Sequence, residues 1–119
     1  MKISILGAGA MGMLFGGYLS EHNDVWLIDI DQNRIDYINA NGVAVRESTG
    51  EDKFFRPVGM TNAANLGEMD VVLVFVKSMF TVDALKTNKG LIGPNTYLMT
   101  LQNGAGHESK LLQFADADH

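Results

Sequence analysis

The run Gly7-Ala8-Gly9-Ala10-Met11-Gly12 narrows what this chain can fold into more than any other stretch of it. Its context gives it meaning. Before it lies Met1 to Leu6, a short apolar run with β-branched Ile3 and Ile5, which reads as a buried strand. After it, from Ala10 to Glu21, Met11, Leu14, Phe15, Tyr18 and Leu19 step along one face of a helix. A G-x-G-x-x-G turn between a strand and a helix is a phosphate cradle for physical reasons. Gly7 permits the tight turn, Gly9 lets the backbone approach a pyrophosphate, and Gly12 lets helix and strand pack closely. The start of the helix then presents its N–H groups to the anion. Gly16 and Gly17 sit within the same helix, each costing about 1 kcal/mol against alanine. They imply that this helix lies very close to its neighbour.

The rest of the chain alternates. Val25 to Ile30 reads as a second buried strand, followed by a helix that Asp31 caps, Ile35 and Ile38 anchor and Gly42 stops. Val43–Arg46 and Phe54–Val58 predict a hairpin joined by the polar turn from Ser48 to Asp52, and Thr61–Leu66 amounts to a single helical turn. Val71 to Val76 is unbroken apolar sequence, the pattern of a strand covered on both faces. A helix from Thr81 to Lys89, a turn at Gly93–Asn95, a strand over Tyr97–Leu101 and a helix over Glu108–Phe114 complete the series. Such alternation predicts an α/β fold, a Rossmann-type doubly wound and mainly parallel sheet with right-handed crossovers. The whole chain, 1–119, is then one dinucleotide-binding domain that reads as the N-terminal piece of something longer.

Composition removes several alternatives. The formal net charge of -5 gives no basic footprint for a phosphate backbone, so nucleic acid is not an expected partner. Without cysteine there is no disulfide framework, thiolate metal site or cysteine nucleophile. No apolar run approaches the roughly 18 residues of a membrane span, and the N-terminus has no signal-peptide pattern. A cytoplasmic location with no membrane partner is expected. No catalytic triad or metal-ligand cluster stands out. The methionines at 11, 13, 60, 69, 79 and 99 read as core filler or crevice lining.

Three further residues point to chemistry. Asp29 ends the second strand about twenty residues beyond the glycines, where an acid can hydrogen-bond the adenosine ribose; a capping or solvated acid is the plainer alternative. Asp31 reads as the helix cap. Lys77 follows the third central strand directly, at the carboxyl end where open α/β sheets bind ligands. There it can hold a phosphate, a ribose hydroxyl or a substrate carboxylate, or simply snorkel to solvent. Asn103, in Gln102-Asn103-Gly104-Ala105-Gly106, would face the same crevice and bridge cofactor and substrate, although an Asn-Gly pair alone is usually a turn. His107 reads as a cap or a solvent-facing side chain.

Taken together, Met1-Lys2-Ile3-Ser4-Ile5-Leu6-Gly7-Ala8-Gly9-Ala10-Met11-Gly12, Phe75-Val76-Lys77-Ser78 and Leu101-Gln102-Asn103-Gly104 resemble the ketopantoate reductases (2-dehydropantoate 2-reductases), and the hairpin has its counterpart there. The resemblance covers essentially the whole chain. It implies hydride transfer from NAD or NADP in reduced form to a 2-oxo acid such as ketopantoate, giving a D-2-hydroxy acid, in pantothenate biosynthesis. It further implies that Gly7, Ala8, Gly9, Ala10, Met11 and Gly12 line the cofactor. Lys77 would lie beside that cofactor, and Asn103 would contact both its ribose and the substrate. The family's main proton-donating lysine and its helical substrate domain have no counterpart in these residues. The partner is a small 2-oxo acid, with a homodimer as one assembly the fold admits. The family's NADPH-dependent members place an arginine at the end of the second strand. Here Asp29 and Ile30 occupy that neighbourhood, with no arginine before Arg34, which leans towards NAD and towards D-2-hydroxyacid dehydrogenases of the D-mandelate type. The rival of another class is a non-catalytic nucleotide-sensing domain of potassium transport systems, which shares the glycine turn and the aspartate but not the pairing of Lys77 with Asn103.

Overall fold

A computed structural model of the chain describes residues 1–46, 49–63, 66–76 and 80–100. Its centre is a five-stranded parallel sheet. Strand β1 (Lys2–Leu6) pairs on one side with β2 (Asp24–Ile28) and on the other with β6 (Val71–Val74). Beyond β2 lies β5 (Val58–Met60), and beyond β6 lies β7 (Tyr97–Thr100), giving the order β5-β2-β1-β6-β7.

Alternate residues of these strands feed two cores, one on each face of the sheet. Ile3, Ile5, Val25 and Leu27 face helices α1 (Ala10–Leu19) and α2 (Gln32–Asn41), where Ile35 and Ile38 join them. Leu6, Ile28, Val72 and Val74 face the other way, towards Leu85 of α3 (Thr81–Thr87) and Leu91 in the 3-10 turn Lys89–Leu91. Because both faces are covered, the central strands read as unbroken apolar runs rather than alternating ones. Ser4 is the exception. It is fully buried between Trp26 and Val72 in register, and its hydroxyl finds no partner among the described residues. A buried hydroxyl without a hydrogen bond costs about 1–3 kcal/mol. Ser4→Ala is therefore expected to stabilise the domain by about 1 kcal/mol, read as a higher urea midpoint at unchanged slope.

The glycines inside α1 do what the sequence implies. A Cβ on Gly16 would lie 2.7 Å from Leu27 Cδ2 and 3.3 Å from Ile5 Cδ1, so the helix rests directly on β1 and β2. Gly17 faces the antiparallel hairpin of β3 (Val43–Arg46) and β4 (Asp52–Phe55), 3.0 Å from Phe55. Tyr18 stacks against the same ring, with centroids 5.2 Å apart. Lys53, over the other edge of this patch, pairs with Glu21 and holds its carboxyl below the usual range, chiefly through their hydrogen bond.

One expected element is corrected. Phe54–Val58 is not a single strand: β4 ends at Phe55, and Val58 starts β5, which leaves the hairpin and adds to the main sheet beside β2. Pro57 explains the break, since it has no N–H for a ladder and the residue before it avoids helical geometry. The short strand is held from the side as well. Gly59 donates its N–H to Asn39 Oδ1 at 2.7 Å, and its carbonyl accepts from Asn39 Nδ2 at 3.0 Å. The α2 side chain thus closes backbone groups that an edge strand leaves open.

Other boundaries move by a few residues. Helix α1 ends at Leu19 rather than Glu21, where Asn23 Nδ2 donates to the Leu19 carbonyl at 3.0 Å. Strand β2 ends at Ile28 and β6 at Val74, both short of the expected Ile30 and Val76. The helix expected to reach Lys89 ends at Thr87, and the 3-10 turn takes over. Asp31 does cap α2, accepting from the Arg34 N–H at 3.2 Å, and Gly42 ends it with φ +76°. The turn at Gly93–Asn95 leads into β7, and Leu101 of that expected strand falls outside the described residues, as does the whole of the expected helix Glu108–Phe114. So do Ser48, in the hairpin turn, and two residues of the expected Thr61–Leu66 turn, whose Leu66 N–H still reaches the Ala63 carbonyl at 3.1 Å. Among the described residues no helix is long and apolar enough to cross a membrane.

Candidate functional site

The chain builds outward from β1 through β2 to β5, then crosses back past β1 to place β6 and β7. The order reverses between β1 and β6, and a crevice opens beyond the carboxyl ends of strands at such a point. The glycine turn stands on one side of it. Gly7, directly after β1, has φ +108°, and a Cβ there would lie 2.9 Å from Val76 N and 3.0 Å from the Phe75 carbonyl carbon. Only glycine suits both the backbone geometry and the neighbour. A Cβ on Gly12 would run into the Gly7 carbonyl oxygen, so the first turn of α1 is pressed onto the glycine turn itself. At Gly9 the opposite holds: nothing lies within 4 Å of where its Cβ would be.

That open position is what suits an anion. Gly9 is the N-cap of α1 and supplies no side-chain cap, and the first turn carries no acidic residue. The first N–H groups of any helix have no intrahelical acceptor and carry its partial positive charge. Here the Met13 N–H is bonded back to the Gly9 carbonyl, at 2.9 Å. A diphosphate laid over Gly9 would meet backbone donors and no side chain. The residues present therefore fit a dinucleotide.

The residues between the glycines divide. Ala8 is fully buried, and its N–H donates to Asp29 Oδ2 at 2.8 Å, so its part is to hold the turn. Ala10 and Met11 are exposed at the start of α1. Across the crevice the ring of Phe75 packs on Phe15 of α1, centroids 5.4 Å apart, fixing the segment that leaves β6.

Asp29 sits one residue beyond β2, as expected of a ribose-binding acid, and does more than that role requires. Besides Ala8, it accepts from the Asp31 N–H through Oδ1 at 2.9 Å. One carboxylate thus ties the glycine turn, the end of β2 and the start of α2 together, and this local turn ends the strand early. An ionised carboxylate has about four acceptor positions, so two remain for a ribose. Next to it Ile30 is 94% exposed, a large apolar side chain given to neither core.

Arg34 is the residue that sequence reasoning passed over. Its Nη1 lies 3.6 Å from Asp29 Oδ2, and its side chain is 44% exposed. Counting along the chain, it seems too far from the strand end, but it occupies the third position of α2, and one helical turn carries it back. The signal was available in Asp31: a capped helix start fixes which residues return towards the cap. Lys77, Asn103 and His107 lie outside the described residues; Val76, which precedes Lys77, has its backbone nitrogen beside Gly7.

Residues 3–119 match the family of ketopantoate reductase PanE/ApbA. The chain belongs to that family. A 2-dehydropantoate 2-reductase of Streptococcus pyogenes serotype M1 is 36% identical over 118 residues, which cover 96% of this chain and 37% of that protein. Among solved structures, a PanE/ApbA family ketopantoate reductase from Ralstonia eutropha JMP134 superposes with a TM-score of 0.86 at 27% identity. It covers 98% of this chain, which corresponds to 39% of that one. D-mandelate dehydrogenase, solved in a ternary complex with NADH and anilino(oxo)acetate, superposes with a TM-score of 0.84 at 29% identity, covering 98% of this chain and 38% of that one. The chain thus spans well under half the length of these ketopantoate reductase relatives, and what it shares with them is the Rossmann-type domain. The match is to oxidoreductases and not to the nucleotide-sensing domains that the glycine turn alone would also allow.

Proposed function

We propose that this chain is the cofactor-binding part of an NAD(P)-dependent oxidoreductase that reduces a 2-oxo acid, ketopantoate first among the candidates, to a D-2-hydroxy acid. The observation that carries the reading is the unfilled position over Gly9 at the reversal point of the sheet, above a helix start with no acidic side chain. The bound dinucleotide supplies the hydride. This chain's residues seat it: the Gly7–Gly12 turn and the α1 N-terminus take the pyrophosphate, Asp29 the adenosine ribose, and Ile30 offers an apolar face to the adenine. By resemblance to the family, Lys77 stands beside the cofactor and Asn103 between cofactor and substrate, where an ammonium and an amide hold the 2-oxo acid for attack. A cytoplasmic enzyme of pantothenate synthesis follows from this reading. A second reading, a D-mandelate-type dehydrogenase, is favoured by Asp29 at the end of β2 and by the likeness to the dehydrogenase solved with NADH.

The test is a panel of 2-oxo acids, with ketopantoate and an aryl 2-oxo acid among them, assayed with NADH and NADPH on the assembled enzyme that contains this chain. Reduction of ketopantoate supports the first reading, and turnover of the aryl acid alone supports the second. In the same enzyme Lys77→Ala and Asn103→Ala are each expected to lower kcat/KM by about tenfold or more, equivalent to about 1.4 kcal/mol of transition-state stabilisation. If both variants keep wild-type kinetics, neither residue belongs to the site.

A further inference from the structure

We propose that Arg34 sets the cofactor range of this site, letting the 2′-phosphate of NADPH bind beside an acid that would otherwise exclude it. The inference rests on the dinucleotide reading above and concerns which dinucleotides that site accepts.

Asp29 by itself selects against a 2′-phosphate. An ionised carboxylate that accepts a ribose hydroxyl would repel a phosphate at the same place. Yet Asp29 is not by itself. The Arg34 guanidinium stands 3.6 Å from its Oδ2, close enough to offset its charge but beyond hydrogen-bond length. The strong hydrogen bonds of that carboxylate go to the backbone of Ala8 and Asp31. Arg34 is therefore held near the ribose end of the site by charge, without its donor fork being committed to Asp29. At 44% exposure it can swing its planar donors onto a phosphate, the group that arginine binds in bidentate fashion.

The neighbouring charges leave this role to Arg34. The Asp31 carboxylate is turned to the α2 backbone, accepting from the Arg34 N–H at 3.2 Å, and Asp36 accepts from Gln32 Nε2 at 2.8 Å. Among the described residues Arg34 is the cation paired with Asp29. The pair works in two states. With NADH, Asp29 accepts from the ribose and Arg34 stays beside it. With NADPH, Arg34 moves to the 2′-phosphate and screens it from Asp29.

The experiment is a set of fluorescence titrations of the 119-residue chain with NADH and NADPH at one fixed, low salt concentration, repeated for Arg34→Ala and Arg34→Lys. Calorimetric titrations with adenosine 2′,5′-bisphosphate and with AMP remove the nicotinamide from the comparison. Wild type is expected to bind the two dinucleotides within about fivefold of each other, whereas Arg34→Ala should weaken NADPH by about tenfold or more and NADH by no more than about twofold. Arg34→Lys should recover part of the loss, because a point charge replaces the fork. Adenosine 2′,5′-bisphosphate should follow NADPH, and AMP should follow NADH. If Arg34→Ala weakens both dinucleotides equally, or neither, the proposal is overturned while the dinucleotide reading stands. Wild-type chain that binds neither dinucleotide nor either adenosine phosphate overturns both.

Discussion

Gly12→Ala is expected to destabilise the domain by about 3 kcal/mol and to abolish dinucleotide binding. One added methyl group does not usually cost so much; overpacking a core typically costs about 1–3 kcal/mol, because side chains can shift. Here the added Cβ meets the Gly7 carbonyl oxygen and carbon, which are backbone, with Ile5 Cγ2 at 3.5 Å behind them. To relieve the clash, α1 must lift from the turn, and Gly7 is itself wedged against Val76 N. Domains of this kind are stable by only about 5–15 kcal/mol, so the loss should be plain in urea denaturation. Gly9→Ala separates folding from binding. Its Cβ would meet nothing within 4 Å, and Gly9 already has φ -74°, which alanine adopts freely. Its stability should stay within about 0.5 kcal/mol of wild type, while the methyl group takes the place proposed for the pyrophosphate and weakens NADH and NADPH together by about tenfold or more. Should Gly9→Ala bind as well as wild type, the pyrophosphate does not lie over α1.

Asp29→Ala is the second large effect, because it removes a joint as well as a ligand contact. The variant leaves the buried Ala8 N–H and the Asp31 N–H without the carboxylate, at a site whose side chain is only 15% exposed. Hydrogen bonds to charged groups contribute about 1.5–3 kcal/mol each. Water can replace the exposed one, so a net loss of about 2 kcal/mol is expected. Affinity should fall for both dinucleotides, since the turn that seats the diphosphate loses its anchor. Asp29→Asn keeps an acceptor for the Ala8 N–H and should recover most of the stability, giving a clean comparison by thermal melting and titration. If Asp29→Ala melts with wild type yet loses NADH alone, Asp29 is only a ribose ligand, and its bonds to Ala8 and Asp31 carry no weight.

Where the chemistry is local, the sequence was legible down to single residues. Ile3 and Ile5 before the glycines, the i to i+4 stepping of Leu14, Phe15, Tyr18 and Leu19, and the Asp31 cap each depend on neighbours within about one turn. All of them appear in the structure, though α1 leaves Leu14 and Tyr18 largely exposed. The glycines at 7 and 12 were legible too, because a turn between a strand and a helix needs them whatever surrounds it. Strand β5 was not, although Pro57 marked the break. Three residues carry no period, and what holds Val58–Met60 is pairing with β2 and the Asn39 amide twenty residues away.

The sequence by itself therefore determined the kind of fold, the phosphate cradle and the family, because periodicity, caps and turns are written into adjacent residues. Tertiary structure decided how the cradle is held and who stands beside it. Asp29 reaches Ala8 across 21 positions because β1 and β2 lie side by side, so an acid read as a ribose contact is also the tie that fixes the turn. Arg34 reaches Asp29 because α2 begins as soon as β2 ends and turns back over it, so a cation discounted for its distance along the chain is the acid's partner in space. Both outcomes have one physical cause: charge acts over ångströms through the folded molecule, and distance along the chain does not measure it.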